Sequence, residues 1–243
     1  MAGGLLMTTL CLASFLIAMG GALDETAAAA PQPVDQPIQS EPVESPIPQP
    51  PDSAAAADPF VSMEPNNPKA HMELAAALKE AGQTERAFGE FARAAELYLE
   101  QADYLGAVEA LLANLELSGG NLGSDPRLAG MLTHALFLGA ESGQMMPYLD
   151  RVNQLYPEWA PLPVLKARSL LYLGELDAAK VLIDRARQAA PEDPIATAVM
   201  IDGLRLIGAL EEARESTAQL LERMPLPPWL VEHLHEVQAE LNS

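Results

Sequence analysis

Apolar residues recur at steps of three and four along most of the chain after residue 67, a spacing that places them on one face of a helix. The first stripe contains Leu74, Ala75 and Leu78, and the last contains Leu230 and Leu234. The pattern predicts helices over 69–81, 84–100, 103–117, 126–142, 145–155, 163–173, 176–189, 195–207, 210–224 and 228–243. The sequence therefore predicts an all-α fold.

Glycine and proline interrupt this pattern where helices are expected to begin and end. Pro68 suits the first turn of a helix, where its missing N–H is harmless, and Gly82 ends the stripe that follows. Thr84 is predicted to cap the second helix with its hydroxyl group. Gly143 and Pro157 interrupt the pattern further along the chain. The predicted helices are therefore short and joined by tight connections.

The stretch 160–225 contains two copies of one unit, 34 positions apart. Five pairs of residues at this offset carry the repeat: Gly174 with Gly208, Ala179 with Ala213, Pro191 with Pro225, Leu173 with Ile207, and Leu176 with Leu210. A fixed period of this length is typical of stacked helix pairs, because one pair cannot bury its apolar face alone. The amphipathic helix over 228–243 is predicted to cover the end of the stack.

Residues 1–23 form a separate N-terminal segment. Positions 3–23 are 21 residues without a charge, and as a helix they would extend about 31 Å, enough to cross a bilayer core. Two interpretations stay open, an uncleaved single-pass transmembrane anchor and a cleaved secretory signal peptide. No Lys or Arg flanks the segment, so only the N-terminal amine favours an orientation. We expect the bulk of the chain to lie outside the cytoplasm, either at the cell membrane or exported.

Residues 24–60 differ sharply in composition from the rest of the chain. Nine prolines lie between positions 31 and 59, and the segment has no Lys or Arg. Such a segment cannot bury enough apolar surface to offset its ordering entropy, and its X–Pro steps favour extended conformations. We predict a disordered acidic linker here, followed by a repeat domain over 61–243.

The charge of the chain bounds its partners. The chain has 14 basic and 34 acidic residues, a net charge of −20, and every basic residue follows position 60. Phosphate binding needs clustered Lys and Arg, so we expect no nucleic-acid partner. Strong net charge favours solubility and a monomer through self-repulsion. A docking site for a basic partner is the alternative interpretation of the acidity.

The sequence contains no recognisable catalytic or metal-binding pattern. Cys11 is the single cysteine, which excludes an internal disulfide and a thiol-based metal site in the rest of the chain. His233 and His235 are two positions apart, whereas metal pairs on a helix need three or four, so we expect both to be exposed or partly packed. No nucleophile motif or phosphate-binding glycine loop is found. We therefore predict no enzyme activity, no cofactor, no metal and no small-molecule substrate.

The repeats resemble the tetratricopeptide repeat (TPR) family, in which small residues, a helix-ending glycine and a closing proline recur at set positions. The matching residues are Ala75, Gly82, Ala87, Pro157, Ala167, Gly174, Ala179, Pro191, Gly208, Ala213 and Pro225. The resemblance covers positions 68–225. It implies a solenoid of about four to five helical hairpins followed by a capping helix over 228–243.

The resemblance also implies a function. In this family the first helices line a concave groove, and the matching groove positions are His134, Phe137, Arg168, Leu171, Tyr172, Asp202 and Arg205. The implied function is that of a non-catalytic scaffold that binds a partner protein or peptide in this groove. Two alternatives stay open, an assembly factor of an envelope or cytochrome-maturation system and a self-associating structural protein.

Overall fold

The computed structural model describes residues 58, 61–119, 125–223 and 226–242. Within these ranges the regular structure is entirely helical, as predicted. The helices are α1 (Pro68–Glu80), α2 (Thr84–Glu100), α3 (Tyr104–Leu117), α4 (Pro126–Gly139), α5 (Met146–Leu155), α6 (Leu162–Tyr172), α7 (Leu176–Ala189), α8 (Pro194–Leu206), α9 (Leu210–Arg223) and α10 (Pro228–Leu241). A 3-10 turn, Ala140–Ser142, follows α4.

Some of the predictions concern residues outside these ranges. The apolar segment 3–23, the linker over 24–60 apart from Asp58, and Pro225 are not among the described residues, so their roles stay predictions. None of the described helices is both long and apolar enough to span a bilayer.

Side chains of Asn and Asp begin four of the helices. Each accepts a hydrogen bond from a backbone N–H of the first turn: Asn67 from Lys69, Asp103 from Gly106, Asp125 from Arg127 and Leu128, and Asp193 from Ile195. Such caps satisfy N–H groups that have no partner within the helix. The prediction that Thr84 caps α2 is wrong, because Thr84 is the first helical residue and Gln83 precedes it without a side-chain cap hydrogen bond.

The turns after α1, α6 and α8 share one geometry. Gly82, Gly174 and Gly208 have φ angles of 71°, 80° and 80°, and the N–H that follows each glycine donates to the carbonyl five residues earlier. In this Schellman arrangement a left-handed residue lets the last carbonyls of the helix find donors. Ala102, after α2, has a φ of 56°, and Asp103 N donates to Tyr98 O in the same way. The same turn therefore joins α2 and α3, with alanine in the place of glycine.

Small side chains lie where the helices cross. Five alanines of the repeat pattern are fully buried: Ala75, Ala87, Ala167, Ala179 and Ala213. Helices α1 and α2, α6 and α7, and α8 and α9 pack as hairpins, while α3 packs on both α2 and α4. Helix α6 also packs on α4 and α8. The first helices of the later units therefore adjoin one another and form a common face.

Helix α10 packs on α9, the last helix of the stack. Its side chains also reach two earlier helices. Trp229 stacks on His134 of α4, and His233 lies 3.5 Å from Asp202 of α8. Helix α10 therefore lies across the face formed by the first helices, beyond the end-capping contact that the sequence predicts.

Candidate functional site

The seven residues predicted to line a groove come from three helices that adjoin one another. Helix α4 contributes His134 and Phe137, α6 contributes Arg168, Leu171 and Tyr172, and α8 contributes Asp202 and Arg205. Because α6 packs on both α4 and α8, these side chains come together. We call this set the first-helix face, and Arg168 lies at its centre.

Arg168 is fully buried and joins all three helices. Its Nε donates to Asp202 Oδ2 at 2.8 Å, and its Nη2 donates to Glu141 Oε1 at 2.8 Å. Its Nη1 donates to the backbone carbonyl of Phe137. The guanidinium carbon also lies 3.9 Å from the centroid of the Phe137 ring, within the range of a cation–π contact. Because guanidinium stays charged in proteins, these contacts hold a positive charge inside the stack.

Asp202 is the buried partner of that charge. Its Oδ1 atom lies 3.5 Å from His233 Nε2 and 3.9 Å from Arg205 Nη2. Within the described part of the chain, Asp202 Oδ1 and His233 Nε2 are buried without a hydrogen-bond partner. A separation of 3.5 Å is long for a hydrogen bond, so we treat the contact with His233 as electrostatic attraction.

Opposite charges and burial together determine how this site titrates. Burial raises the pKa of Asp202, but the Arg168 guanidinium and His233 outweigh it and hold that pKa below its usual value. Burial opposes the charge on Arg168, yet Asp202 and Tyr172 bring its pKa above the usual value. Burial, followed by the charge of Asp202, raises the pKa of the Tyr172 phenol. At neutral pH the pair is therefore ionised and the phenol is protonated.

Helix α10 covers much of the first-helix face with aromatic and imidazole rings. The Trp229 ring stacks on His134 at a centroid distance of 4.9 Å and an angle of 6°, and it lies 5.3 Å from the Phe137 ring. The His233 ring meets the Phe137 ring edge-on at 5.2 Å. Burial lowers the pKa of His134 to about 4, so this imidazole is neutral at pH 7.

The predicted groove is consequently closed while α10 is in place. Four of its residues are buried: Phe137, Arg168, Leu171 and Asp202. His134, Tyr172 and Arg205 are partly exposed. That the set binds a partner stays a prediction. The expectation that His233 is exposed or partly packed is wrong, since its side chain is 6% exposed and lies against Asp202 and Phe137.

The chemistry of the first-helix face is that of a structural ion pair. Arg168 is a permanent cation, and the Asp202 carboxylate is bound to that cation. Among the described residues, no group of three or more His, Cys, Asp or Glu side chains could hold a metal ion. What this arrangement can do is hold α4, α6, α8 and α10 in register.

A second surface, which sequence reasoning did not single out, lies at the turns of the last two hairpins. Five large apolar side chains there are between 40% and 62% exposed: Leu173, Leu176, Leu206, Ile207 and Leu210. We call them the hairpin strip. Four of them form pairs at the 34-residue offset, so the sequence signal was an apolar repeat next to each glycine turn. In a stack of hairpins, equivalent exposed positions of neighbouring units line up on one side.

The hairpin strip borders a cleft of about 630 Å³ between α7 and α9. Apolar side chains from α6 and α8 line it, among them Leu171, Met200 and Leu204. Leu176 and Ile207 of the strip also line it, so the exposed strip and the cleft form one surface. We call this space the hairpin cleft.

No family model and no curated protein match the chain. Two solved structures are similar to it in fold. The crystal structure of YrrB, described as a TPR protein with an unusual peptide-binding site, shares 18% identity at a TM-score of 0.36 and covers 74% of this chain and 98% of YrrB. The APC/C hetero-tetramer Cut9–Hcn1 shares 14% identity at a TM-score of 0.38, and the match covers 76% of this chain and 39% of that chain.

Both matched structures are TPR proteins, as the resemblance in the sequence predicts. At these TM-scores the likeness concerns the fold alone. The helical repeat itself is shown by the hairpins of this chain, their shared glycine turns and their buried alanines.

Proposed function

We propose that this chain is a non-catalytic scaffold that binds a partner protein through its helical repeats. The observation that carries the proposal is the hairpin strip, whose apolar side chains are exposed at the turns of two neighbouring hairpins. Large exposed apolar patches on folded domains commonly mark interaction sites. A stack of hairpins suits this role because successive units present equivalent side chains on one continuous surface.

Peptide binding at the first-helix face is the finer form of this proposal. Its support is the resemblance of the seven groove positions to those of the TPR family. A partner bound there would replace α10, because Trp229 and His233 lie over Phe137. We therefore propose the hairpin strip as the primary binding surface and the first-helix face as one that needs α10 to move away.

We also propose that the N-terminal region tethers the scaffold to a membrane or directs its export. The support is the uncharged run of 21 residues over 3–23, followed by a proline-rich segment that suits a spacer. Reporter fusions after Leu23 and at Ser243 test this. A reporter that works only outside the cytoplasm is expected to be active at both positions, and its inactivity at both would contradict export.

Site-specific photocrosslinking of the full chain in cells tests the scaffold proposal. A photoreactive residue at Leu206 or Leu210 is expected to trap one or a few proteins that mass spectrometry identifies. Val181 is the matched control, since it is an apolar side chain of α7, 50% exposed, that does not line the hairpin cleft. A probe at Tyr172 reports on the first-helix face.

The pattern of adducts separates the possible results. Adducts from Leu206 and Leu210 that are missing at Val181 support the hairpin strip. Adducts from Tyr172 alone would move the binding site to the first-helix face and require α10 to leave it. Absence of adducts at every position, or identical adducts at Val181 and Leu206, would contradict the scaffold proposal.

A further inference from the structure

We propose that the hairpin cleft docks a basic amphipathic helix of a partner protein. This inference rests on the proposed scaffold function and names the occupant of one surface. Four observations carry it: the size of the cleft, its apolar lining, the acidic side chains around it, and the charge of the competing occupants.

The size and lining of the cleft suit side chains from another protein. Its volume of about 630 Å³ lies within the range of pockets that bury ligands. Leu171, Met200 and Leu204 contribute apolar surface, and Gly203 adds no side chain of its own to the space. Ile207, at 62% exposed, is the most accessible apolar side chain that lines the cleft. Burying such surface favours association, whereas leaving it in water is unfavourable.

The charged side chains of the cleft are mainly acidic. Four carboxylates line it, from Asp177 and Asp184 on α7 and from Glu212 and Glu215 on α9, against two cations, Lys180 and Arg187. The Lys180 Nζ atom lies 3.0 Å from Asp184 Oδ2, so this cation is already paired. Three carboxylates and one arginine remain. An apolar cleft with an acidic margin is complementary to a segment that has apolar anchors next to Lys or Arg.

Charge also decides between the possible occupants. A second copy of this chain carries the same net charge of −20, which opposes association at an acidic surface. The chain's own segment 3–23 is apolar but has no cation to meet the carboxylates. A basic partner satisfies both the apolar lining and the acidic margin.

The cleft lies between two helices of neighbouring hairpins, which favours a helical occupant. An amphipathic helix places apolar anchors on one face at steps of three and four and leaves its other side chains free to meet the margins of a groove. An occupant of this kind would lie between α7 and α9, with its apolar face toward Met200 and Leu204 and its cations toward Glu212 and Glu215.

Fluorescence anisotropy with a model peptide tests the proposal on the full chain. The probe is a labelled peptide of about 15 residues, with leucine at steps of three and four and lysine at the remaining positions. One control peptide has the same composition with leucine and lysine alternating, and another has glutamate in place of lysine. The full chain is expected to bind the basic amphipathic probe and to bind both controls at least about tenfold more weakly.

Matched variants locate the binding site of the probe. Leu176→Gln and Ile207→Gln replace exposed apolar side chains, so the fold should tolerate them, and each is expected to weaken binding about tenfold. Val181→Gln is an equivalent change on α7 outside the cleft and should leave binding unchanged. Gly203→Met fills the cleft without changing charge and should also weaken binding, although it makes the surface more apolar. Glu212→Gln with Glu215→Gln should weaken binding of the basic probe and reduce its salt dependence.

Several results would overturn the proposal. Equal binding by Val181→Gln and Ile207→Gln would mean that the probe meets the acidic chain nonspecifically. Concentration-dependent dimers in analytical ultracentrifugation that Ile207→Gln abolishes would make a second copy the occupant. A photocrosslink from position 207 to residues 3–23 of the same chain would make that segment the occupant. If the probe fails to bind while crosslinking at Leu206 still traps a protein, the scaffold stands and the basic helix is wrong.

Discussion

Arg168 and Asp202 are fully buried and lie 2.8 Å apart, so each depends on the other for its counter-charge. Arg168→Ala removes one partner and leaves a buried carboxylate uncompensated. We expect this change to lower the free energy of unfolding by about 3–5 kcal/mol, measured by urea denaturation. The variant Arg168→Met with Asp202→Leu removes both charges and is expected to be more stable than Arg168→Ala. A loss below about 1 kcal/mol in Arg168→Ala would contradict the buried ion pair.

This dependence also limits how the first-helix face can be tested. A triple alanine change at Arg168, Tyr172 and Arg205 would disturb the stack itself, because Arg168 donates to groups on three structural elements. Loss of a partner in such a variant would not distinguish a lost contact from a lost fold. Probes at partly exposed positions such as Tyr172 avoid this ambiguity.

Ala102 takes a left-handed conformation that the other hairpin turns give to glycine. Its φ of 56° costs an alanine about 1–2 kcal/mol, since its Cβ crowds the backbone. Ala102→Gly is therefore expected to raise the free energy of unfolding by about 1 kcal/mol. Gly208→Ala should lower it by a similar amount, because Gly208 has a φ of 80° and an added methyl group would meet only open space, with no contact to offset the strain. Chemical denaturation measures both, and a stability loss in Ala102→Gly would refute the strained turn.

At the scale of the element, the crossing of α2 and α3 depends on a helical glycine. A Cβ added at Gly106 would lie 2.6 Å from two ring carbons of Tyr98, closer than packed atoms approach. Gly89 lies in α2 with open space at its Cβ position, so Gly89→Ala should stabilise the helix by about 1 kcal/mol. Gly106→Ala is expected to be about 1–3 kcal/mol less stable than Gly89→Ala, because overpacking forces the two helices apart.

The comparison of thermal midpoints for the two alanine variants checks this prediction. Both substitutions improve helix propensity by the same amount, so their difference isolates the contact with Tyr98. Equal midpoints would mean that α3 shifts at no cost, and that the close approach of Gly106 does not determine the crossing.

At the scale of the whole molecule, α10 closes over the first-helix face and buries His134 beneath Trp229. Burial lowers the pKa of His134 from 6.5 to about 4, so the folded state binds fewer protons than the unfolded state between these values. Stability is therefore expected to be full above about pH 6.5 and to fall as the pH drops toward 4. His134 is partly exposed, so solvent reduces the size of the effect.

His134→Leu provides the matched control for this pH dependence. It should reduce the fall in stability between pH 6.5 and 4, measured as the free energy of unfolding in urea at each pH. Asp202 contributes in a separate, lower window, because its pKa is depressed in the folded state and its stabilisation is lost only as the pH falls below about 4. An unchanged pH profile in His134→Leu would contradict the burial of His134 by α10.

Much of the architecture follows from the sequence by local physics. Apolar steps of three and four, prolines at first turns and glycines at left-handed positions act within a few residues, so most predicted helices agree with the observed ones within about two residues at each end. The same locality explains two misses. Thr84 fits a cap by residue type, although the chain enters the helix one position earlier, and Ala102 does not look like a turn residue because tertiary packing imposes its φ.

Periodicity and composition are local properties of the chain, and they were enough to predict the all-helical repeat, the turns of its regular hairpins and its acidic charge. Which face is open depends instead on tertiary packing. Residues of α10 are far in sequence from Phe137 and Arg168, and no periodic pattern reports that Trp229 and His233 cover the first-helix face. The same packing leaves Leu176 and Ile207 exposed beside a cleft, since the helices that could bury them are occupied elsewhere.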